Sequence, residues 1–176
     1  MASAFYKSGG FLYISKETNQ VLIGRDHSEP ATSKDKEIVV PCRASSKVSP
    51  DRQQSICISL MDAERPGWYM IHRDGYLYFE QEYAPRNPDT FDKDASFYLT
   101  RNHFFPGFST CESFSRPNHF VHATNDDKIA LRVFENTPQF RSAASIYPVR
   151  HSYRGESTYS TVALLLPISI IASSVV

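Results

Sequence analysis

The side chains best suited to acid–base chemistry are carboxylates spread through the middle of the chain. They include Asp62, Glu64, Glu80, Glu82, Asp92, Asp94 and Glu112. Hydrolysis of a glycosidic bond needs two carboxyl groups opposed across that bond, in a cleft that can distort the sugar ring. Nothing in the spacing of these acids pairs any two of them, so the sequence does not predict a glycosidase site.

Nucleophilic and metal chemistry are equally poorly specified. Cys111, His103 and His119 could form a nucleophile and base on paper, but no motif defines such a site. Cys42, Cys57 and Cys111 lack the paired short spacings of a zinc site. We interpret the three cysteines as free, partly buried thiols, with a Cys42–Cys57 bridge as the alternative. The sequence therefore predicts no catalytic residue, no metal site and no cofactor.

His72 and Asp94 are two further polar residues, and both lie among aromatic side chains. A histidine in a hairpin is often satisfied by a neighbouring backbone carbonyl group. An aspartate at the end of a loop often caps a turn through its own backbone. From residue type alone, the structural role is the better interpretation of His72, and for Asp94 it is as good an interpretation as a binding role.

The charge balance limits the classes of partner. The chain has 19 basic and 19 acidic side chains, which give a net charge of zero. No long-range field therefore favours nucleic acid or an anionic membrane. Aromatic residues make up 13% of the chain, and such rings favour strands and supply flat faces for binding.

Two stretches of the chain form an internal repeat with a period of about fifty residues. The first contains Arg65-Pro-Gly-Trp-Tyr-Met-Ile-His-Arg73, Tyr76-Leu-Tyr-Phe79 and Phe91-Asp-Lys-Asp-Ala-Ser-Phe97. The second contains Arg116-Pro-Asn-His-Phe-Val-His-Ala123, Ile129-Ala-Leu-Arg-Val133 and Phe140-Arg-Ser-Ala-Ala-Ser-Ile146. With one residue deleted after the second proline, His122 aligns with His72, Phe140 with Phe91, and Ser145 with Ser96.

Each repeat unit is predicted to contain a β-hairpin, a loop and a further strand. In the first unit Asp74-Gly75 has the favoured composition of a tight hairpin turn, and Asn125 to Asp127 takes that role in the second. Such a unit cannot bury its apolar face alone, so it must pack against its copies around a shared core. The pattern predicts an all-β protein.

These motifs resemble those of the AbfB domain, the arabinofuranose-binding module attached to α-L-arabinofuranosidases. The shared features are the Pro-Gly-x-Tyr-x-x-His-Arg segment ending at Arg73, the returning strand, and the Asp-Ala-Ser-Phe segment ending at Phe97. The resemblance spans about ninety residues, roughly half the chain. It implies a β-trefoil that binds furanose sugars, and a binding function without a catalytic domain.

The resemblance also implies the residues of the sugar site. His72 and Asp94 would be the polar pair of the first pocket, with Trp68, Tyr69 or Tyr76 covering the apolar face of the sugar. His122 would serve the second pocket, where Ala143 replaces the aspartate and weakens binding. The expected partner is a glycan or small sugar, and an extracellular location is favoured.

The N-terminal part, residues 1–57, is predicted to be rich in strands. The segment Glu37-Ile-Val-Val-Pro-Cys42 resembles a strand of the immunoglobulin-like domains in receptor ectodomains of the PDGF/VEGF-receptor kind. Either these residues form a diverged third repeat of the trefoil, or the trefoil is incomplete. The alternative function is a receptor-ectodomain or protein-interaction fragment in which the repeats, residues 58–150, are scaffold.

The C-terminal segment, residues 151–176, ends in an apolar run from Val162 that Pro167 interrupts. The run is short for a bilayer span. We expect a disordered or loosely packed tail. A weaker alternative is a GPI-type anchoring signal preceded by Gly155, Ser157 and Ser160. No apolar signal peptide is visible at the N-terminus.

Overall fold

The computed structural model describes residues 10–15, 17–24, 37–44, 55–62, 64–151 and 161–166. The described residues form strands and two short helices. The elements are β1 (Gly10–Ile14), β2 (Val21–Gly24), β3 (Glu37–Pro41), β4 (Ser55–Asp62), β5 (Trp68–Arg73), β6 (Tyr76–Gln81), α1 (Phe91–Asp94), β7 (Phe97–Arg101), β8 (Ser109–Ser113), β9 (His119–Ala123), β10 (Ile129–Val133), α2 (Pro138–Ala143), β11 (Tyr147–His151) and β12 (Thr161–Leu166). The predicted all-β class is confirmed.

A closed antiparallel barrel of seven strands forms the centre of the described structure. Its strands pair in the order β4-β5-β6-β10-β9-β8-β7, and β7 pairs back onto β4. Closure leaves the barrel without a free edge, because each strand has a neighbour on both sides. Strands β1, β2, β3, β11 and β12 extend the same hydrogen-bonded sheet from β4.

The predicted tight turn of the first repeat is confirmed. Asp74 and Gly75 both have positive φ, 51° and 82°, as a two-residue hairpin turn requires. Asp74 tolerates this region better than most residues and glycine has no Cβ to clash. Trp68 pairs with Gln81 at the open end of this β5–β6 hairpin.

Three hairpins, β1–β2, β5–β6 and β9–β10, contact one another in a ring that we call the hairpin triangle. Its backbone bridges join Gln20 to Tyr78, Tyr76 to Ala130, and Lys128 to Leu22. Two backbone hydrogen bonds reinforce it, from Phe79 N–H to the Asn19 carbonyl at 2.7 Å and from Leu131 N–H to the Gly75 carbonyl at 2.8 Å. The N-terminal hairpin is therefore packed as part of the repeat assembly.

The main core lies inside the barrel and under the hairpin triangle. It contains Ile14, Val21, Ile58, Leu60, Met70, Leu77, Phe79, Phe97, Leu99, Cys111, Val121, Ile129 and Ile146. All three hairpins contribute to this cluster. Burial of such side chains contributes about 1.5–3 kcal/mol each relative to exposure, so the N-terminal hairpin shares in stabilising the repeats.

Two sequence expectations were wrong in part. Cys42 and Cys57 are disulfide-bonded, with Cα atoms 5.2 Å apart, and only Cys111 of the three cysteines is a free, buried thiol. The apolar C-terminal run was expected to belong to a disordered or loosely packed tail, but Thr161–Leu166 forms β12, which pairs with β11, β1 and β3. β-branched and aliphatic residues favour a pleated strand wherever a partner strand is available.

The rest of the C-terminal apolar run and the small residues before it lie outside the described residues, as does the extreme N-terminus. None of the described helices has the length and apolar character that crossing a membrane would require.

Candidate functional site

A cavity of about 370 Å³ lies where the turn of the first hairpin, α1 and the β8–β9 connection meet. This volume falls within the range of about 300–1,000 Å³ that is common for small-molecule sites. The lining residues are Ile71, His72, Arg73, Asp74, Glu80, Arg86, Asn87, Phe91, Asp94 and Arg116. Most of them are polar or charged, which suits a hydrophilic ligand.

The structure brings His72 and Asp94 together on the wall of this cavity. His72 Nε2 lies 2.9 Å from Asp94 Oδ1 and 2.8 Å from Ser115 Oγ. β5 positions His72, whose side chain is 6% exposed, and α1 ends at Asp94, whose side chain is 20% exposed. Thr90 anchors that helix end, since its carbonyl accepts the Asp94 N–H at 2.9 Å.

Burial lowers the pKa of His72, and the positive charge of Arg116 lowers it further, against the raising effect of Asp94. The imidazole is therefore neutral near pH 7 and carries one ring proton. A carboxylate can only accept, so that proton lies on Nε2 and is donated to Asp94. The other ring nitrogen, Nδ1, is a buried acceptor with no hydrogen-bond partner in the described structure.

Glu80 supplies a second carboxylate to the cavity lining. Its Oε1 accepts the backbone N–H of Arg86, which ties the middle of the loop between β6 and α1 to β6. Its Oε2 lies 4.0 Å from Arg73 Nη1 and makes no hydrogen bond. Glu80 was noted in the sequence only as one of several acids, because its place on β6 gives no signal of a binding role.

The aromatic ring of the cavity is Phe91, in α1. This differs from the predicted choice of ring, because Trp68, Tyr69 and Tyr76 are not among the lining residues. Each is covered by a cation instead: the guanidinium carbon of Arg65 lies 4.3 Å from Trp68, that of Arg43 lies 4.4 Å from Tyr69, and Lys128 Nζ lies 5.5 Å from Tyr76. Such contacts stabilise an aromatic ring in place but leave less of its face for a ligand.

Arg43 holds α1 against the first hairpin. Its Nε contacts Asp92 Oδ1 and its Nη1 contacts Glu82 Oε2, both at 2.7 Å. The neighbouring Ala44 N–H donates to Ser96 Oγ at 2.9 Å. Since α1 provides both Phe91 and Asp94, this contact from the N-terminal segment positions one wall of the cavity.

In the structure, the residues of β9 that are equivalent to those of β5 are shifted by one position from the sequence alignment. Gly67 and Asn118 are equivalent, because their carbonyls accept the N–H groups of Glu82 and Phe134 in the same way. Counting along the paired strands from these two residues puts His122 opposite Ala130, in the place of Ile71 opposite Tyr78. Ala123, not His122, therefore occupies the position of His72.

The pocket of the second repeat has lost both polar groups. Ala123 stands in the place of His72, and Ala143 in the place of Asp94. Phe104 fills the region beside α2 and lies 5.6 Å from the ring centre of Phe134 and 6.4 Å from that of Phe140. His122 packs on Phe140 at 4.9 Å. The sugar-binding role of His122 remains a prediction that this geometry does not support.

The residues considered for nucleophilic chemistry do not form a catalytic arrangement in the described structure. Cys111 is fully buried, and burial raises the pKa of its thiol to about 12. His103 Nδ1 pairs with Thr110 Oγ1 at 2.9 Å, and the Nδ1 of His119 with the Pro117 carbonyl at 3.1 Å. Within the described ranges no three His, Cys, Asp or Glu side chains are grouped so as to hold a metal ion.

Comparison with known proteins gives matches among solved structures. No family model matches the chain, and no curated protein matches it. An arabinofuranosidase complexed with arabinofuranosyl-α-1,2-xylobiose is similar with a TM-score of 0.53 and 18% identity, over 78% of this chain and 29% of that chain. A GH54 α-L-arabinofuranosidase soaked with a cyclic sulfate inhibitor is similar with a TM-score of 0.43 and 15% identity, over 73% of this chain and 22% of that chain.

The chain thus spans less than a third of the length of these enzymes. The similarity with a TM-score of 0.53 shows a shared fold, and at 18% identity it shows nothing about activity.

Proposed function

We propose that this chain is a carbohydrate-binding module of the AbfB kind, which holds one arabinofuranose-like sugar and does not hydrolyse it. The observation that supports this most strongly is the contact between His72 and Asp94 on the cavity wall. These are the two positions that the motif resemblance assigned to sugar recognition, and they come from separate elements.

The chemistry of the pair suits sugar hydroxyl groups. Asp94 already accepts the Nε2 proton of His72 and has further lone pairs for ligand hydroxyls. Hydrogen bonds to an ionised carboxylate are about twice as strong as neutral ones. The held imidazole fixes the direction of the carboxylate, and the Phe91 ring offers an apolar surface to the C–H face of a sugar ring.

The hairpin triangle supports a β-trefoil as the finer description of the fold. A trefoil needs three equivalent hairpins around one axis, and β1–β2 packs with β5–β6 and β9–β10 through matching bridges. In this proposal the N-terminal hairpin is the diverged third repeat. The repeats in residues 58–150 then provide the sugar site, and the N-terminal segment completes their core.

A single sugar site is proposed, in the first repeat. The second repeat has alanine at both polar positions, Ala123 and Ala143, and the Phe104 ring packs beside α2. A non-catalytic role is supported by the small share of the arabinofuranosidase chains that this chain matches, 22–29%. The partner is a furanose-bearing glycan, and such a partner favours an extracellular location.

Calorimetric titration with methyl α-L-arabinofuranoside tests this function. We expect saturable binding by the unmodified protein, and a loss of at least roughly ten-fold in affinity for Asp94→Ala, since a charge-assisted hydrogen bond contributes about 1.5–3 kcal/mol. Asp89→Ala is the matched control, because Asp89 is exposed and does not line the cavity. Absence of binding by the unmodified protein would overturn the function, and equal binding by Asp94→Ala would overturn the site.

A further inference from the structure

Three arginines from three different elements line the same cavity. Arg73 ends β5, Arg86 lies in the loop between β6 and α1, and Arg116 lies in the β8–β9 connection. We call these three residues the arginine rim. Together they bring three permanent positive charges to a lining that also holds three carboxylates, those of Asp74, Glu80 and Asp94.

The charges of the arginine rim are poorly paired within the protein. Arg73 Nη1 and Arg86 Nη1 each approach a carboxylate no closer than 4.0 Å, to Glu80 and Asp74, beyond hydrogen-bond distance. Arg116 forms no ion pair with the carboxylates of the described residues, and its backbone N–H, not its guanidinium, donates to Ser113 Oγ.

Arginines outside the cavity are paired much more tightly. Arg43 contacts Glu82 and Asp92 at 2.7 Å, and Arg65 contacts Asp62 at 2.5 Å. Where an arginine holds parts of the fold together, its guanidinium therefore lies within hydrogen-bond distance of a carboxylate. The rim guanidiniums keep their planar forks of donors available to a ligand.

Positive and negative groups also differ in depth. The carboxylates of Glu80 and Asp94 belong to side chains that are 13% and 20% exposed, whereas the side chains of Arg73 and Arg86 are 34% and 70% exposed. The third lining carboxylate, Asp74, is 84% exposed and lies at the mouth near Arg86. Two acceptors for hydroxyl groups thus lie deep, and the mouth carries three arginines against one carboxylate. A ligand that matches both must place hydroxyls inside and a negative charge outside.

We propose that the arginine rim binds a carboxylate on the glycan, so that the site selects a furanose attached next to a uronic acid over the same furanose on a neutral chain. The inference rests on the proposed sugar-binding function and names the substrate class of the same site. The furanose occupies the His72–Asp94 end, and the uronate carboxylate accepts hydrogen bonds from Arg86 and Arg116 at the mouth.

The test uses an acidic arabinofuranosyl oligosaccharide and the same oligosaccharide after reduction of its uronate to the neutral sugar. We expect the acidic form to bind roughly ten-fold more tightly at low salt, because charge-assisted bidentate contacts are strong. That preference should shrink as the ionic strength rises from about 0.01 M to about 1 M, where the screening length falls about ten-fold.

Variants then locate the effect. Arg86→Gln and Arg116→Gln should each weaken binding of the acidic form by a much larger factor than binding of the reduced form, and so remove most of the preference for the acidic form. Arg101→Gln is the matched control, because Arg101 is an exposed arginine of β7 that does not line the cavity. Circular dichroism of each variant establishes that it is folded.

The outcomes are distinguishable. Equal affinity for the acidic and reduced forms, or a preference that survives in both rim variants, would overturn this inference and leave the sugar-binding function standing. Failure of both oligosaccharides to bind would overturn the proposed function and, with it, the inference.

Discussion

His72, a residue of the proposed sugar site, makes the stability of the protein depend on pH. Its pKa is lowered chiefly by burial, and burial also lowers the pKa of His103 and His122. In each case the folded state disfavours the protonated form relative to the unfolded chain, where the pKa is near 6.5. The folded protein is therefore favoured at neutral pH, where these three histidines are neutral, more than at mildly acidic pH.

This predicts that the protein becomes less stable as the pH falls below about 6.5. The unfolded chain binds more protons than the folded protein in that range, so the free energy of unfolding decreases with falling pH. Above that range these histidines contribute no further pH dependence. Urea denaturation between about pH 5 and pH 8 measures the effect, and His122→Phe should reduce the slope. Equal or greater stability at the acidic end would contradict the assignment.

The residues of the cavity could be predicted only where a repeated motif marked them. His72 and Asp94 stood out because they belong to recurring segments. Arg86 and Glu80 gave no such signal, since charged residues in loops and on strands are usually solvated. Trp68, Tyr69 and Tyr76, the rings predicted to cover the sugar, lie outside the cavity lining, and the sequence does not show which aromatic faces are covered by cations.

At the scale of elements, α1 depends on a contact from outside its own repeat. Arg43 lies over the rings of Tyr69 and Phe91 and pairs with Glu82 and Asp92. A helix of four residues is too short to be stable alone. The Arg43 contact therefore determines how firmly Asp94 is held against His72.

We expect Arg43→Gln to lower the free energy of unfolding by about 1–3 kcal/mol, because it leaves the half-buried Glu82 carboxylate without its cation. It should also weaken sugar binding, although Arg43 does not line the cavity. Arg132→Gln, at an exposed position on β10, is the control for loss of charge. Unchanged stability and affinity in Arg43→Gln would show that α1 does not rely on this contact.

The Cys42–Cys57 disulfide should also stabilise the segment that carries Arg43. The two residues are 15 apart in sequence, and in the chain-entropy account a cross-link closing a loop of that length contributes about 3 kcal/mol. Cys42→Ala/Cys57→Ala should therefore lower the denaturation midpoint, as measured by urea unfolding under non-reducing conditions. Addition of a reductant should lower the midpoint of the unmodified protein but leave that of the variant unchanged.

Element prediction from the sequence succeeded for local signals and failed for register. The Asp74-Gly75 turn has a defined composition, and its hairpin was predicted correctly. The second hairpin has a longer turn between Ala123 and Ile129, and the alignment matched His122 with His72 by a one-residue deletion after Pro117. That choice moved His122 by one residue, and in a strand a shift of one residue reverses the side that the side chain faces.

At the scale of the whole molecule, the N-terminal hairpin belongs to the core of the repeats. Val21 is fully buried and Ile14 is 4% exposed, in the same cluster as Met70 and Leu77. The sequence predicted strands in this region but could not say whether they complete the repeat assembly. Pairings such as Gln20 with Tyr78 join distant parts of the chain and have no local signature.

We expect Val21→Ala to destabilise the whole barrel by about 2 kcal/mol, from the lost methyl groups and the cavity that they leave. The chain has one tryptophan, Trp68 in β5, so its fluorescence reports unfolding of the first repeat specifically. Glu17→Ala is the matched control, at an exposed position of the same hairpin. A Trp68 transition that is unaffected by Val21→Ala would mean that the N-terminal hairpin unfolds independently.

The claim on which the functional account depends is that a furanose sugar occupies the His72–Asp94 cavity. Titration of ¹⁵N-labelled protein with methyl α-L-arabinofuranoside, followed by NMR, tests it most directly. The account predicts saturable shifts for the backbone amides of Arg73, Asn87 and Asp94 and for the ring nitrogens of His72, with little change at His122 and Phe140. Shifts centred on the second repeat, or no shifts at saturating sugar, would contradict it.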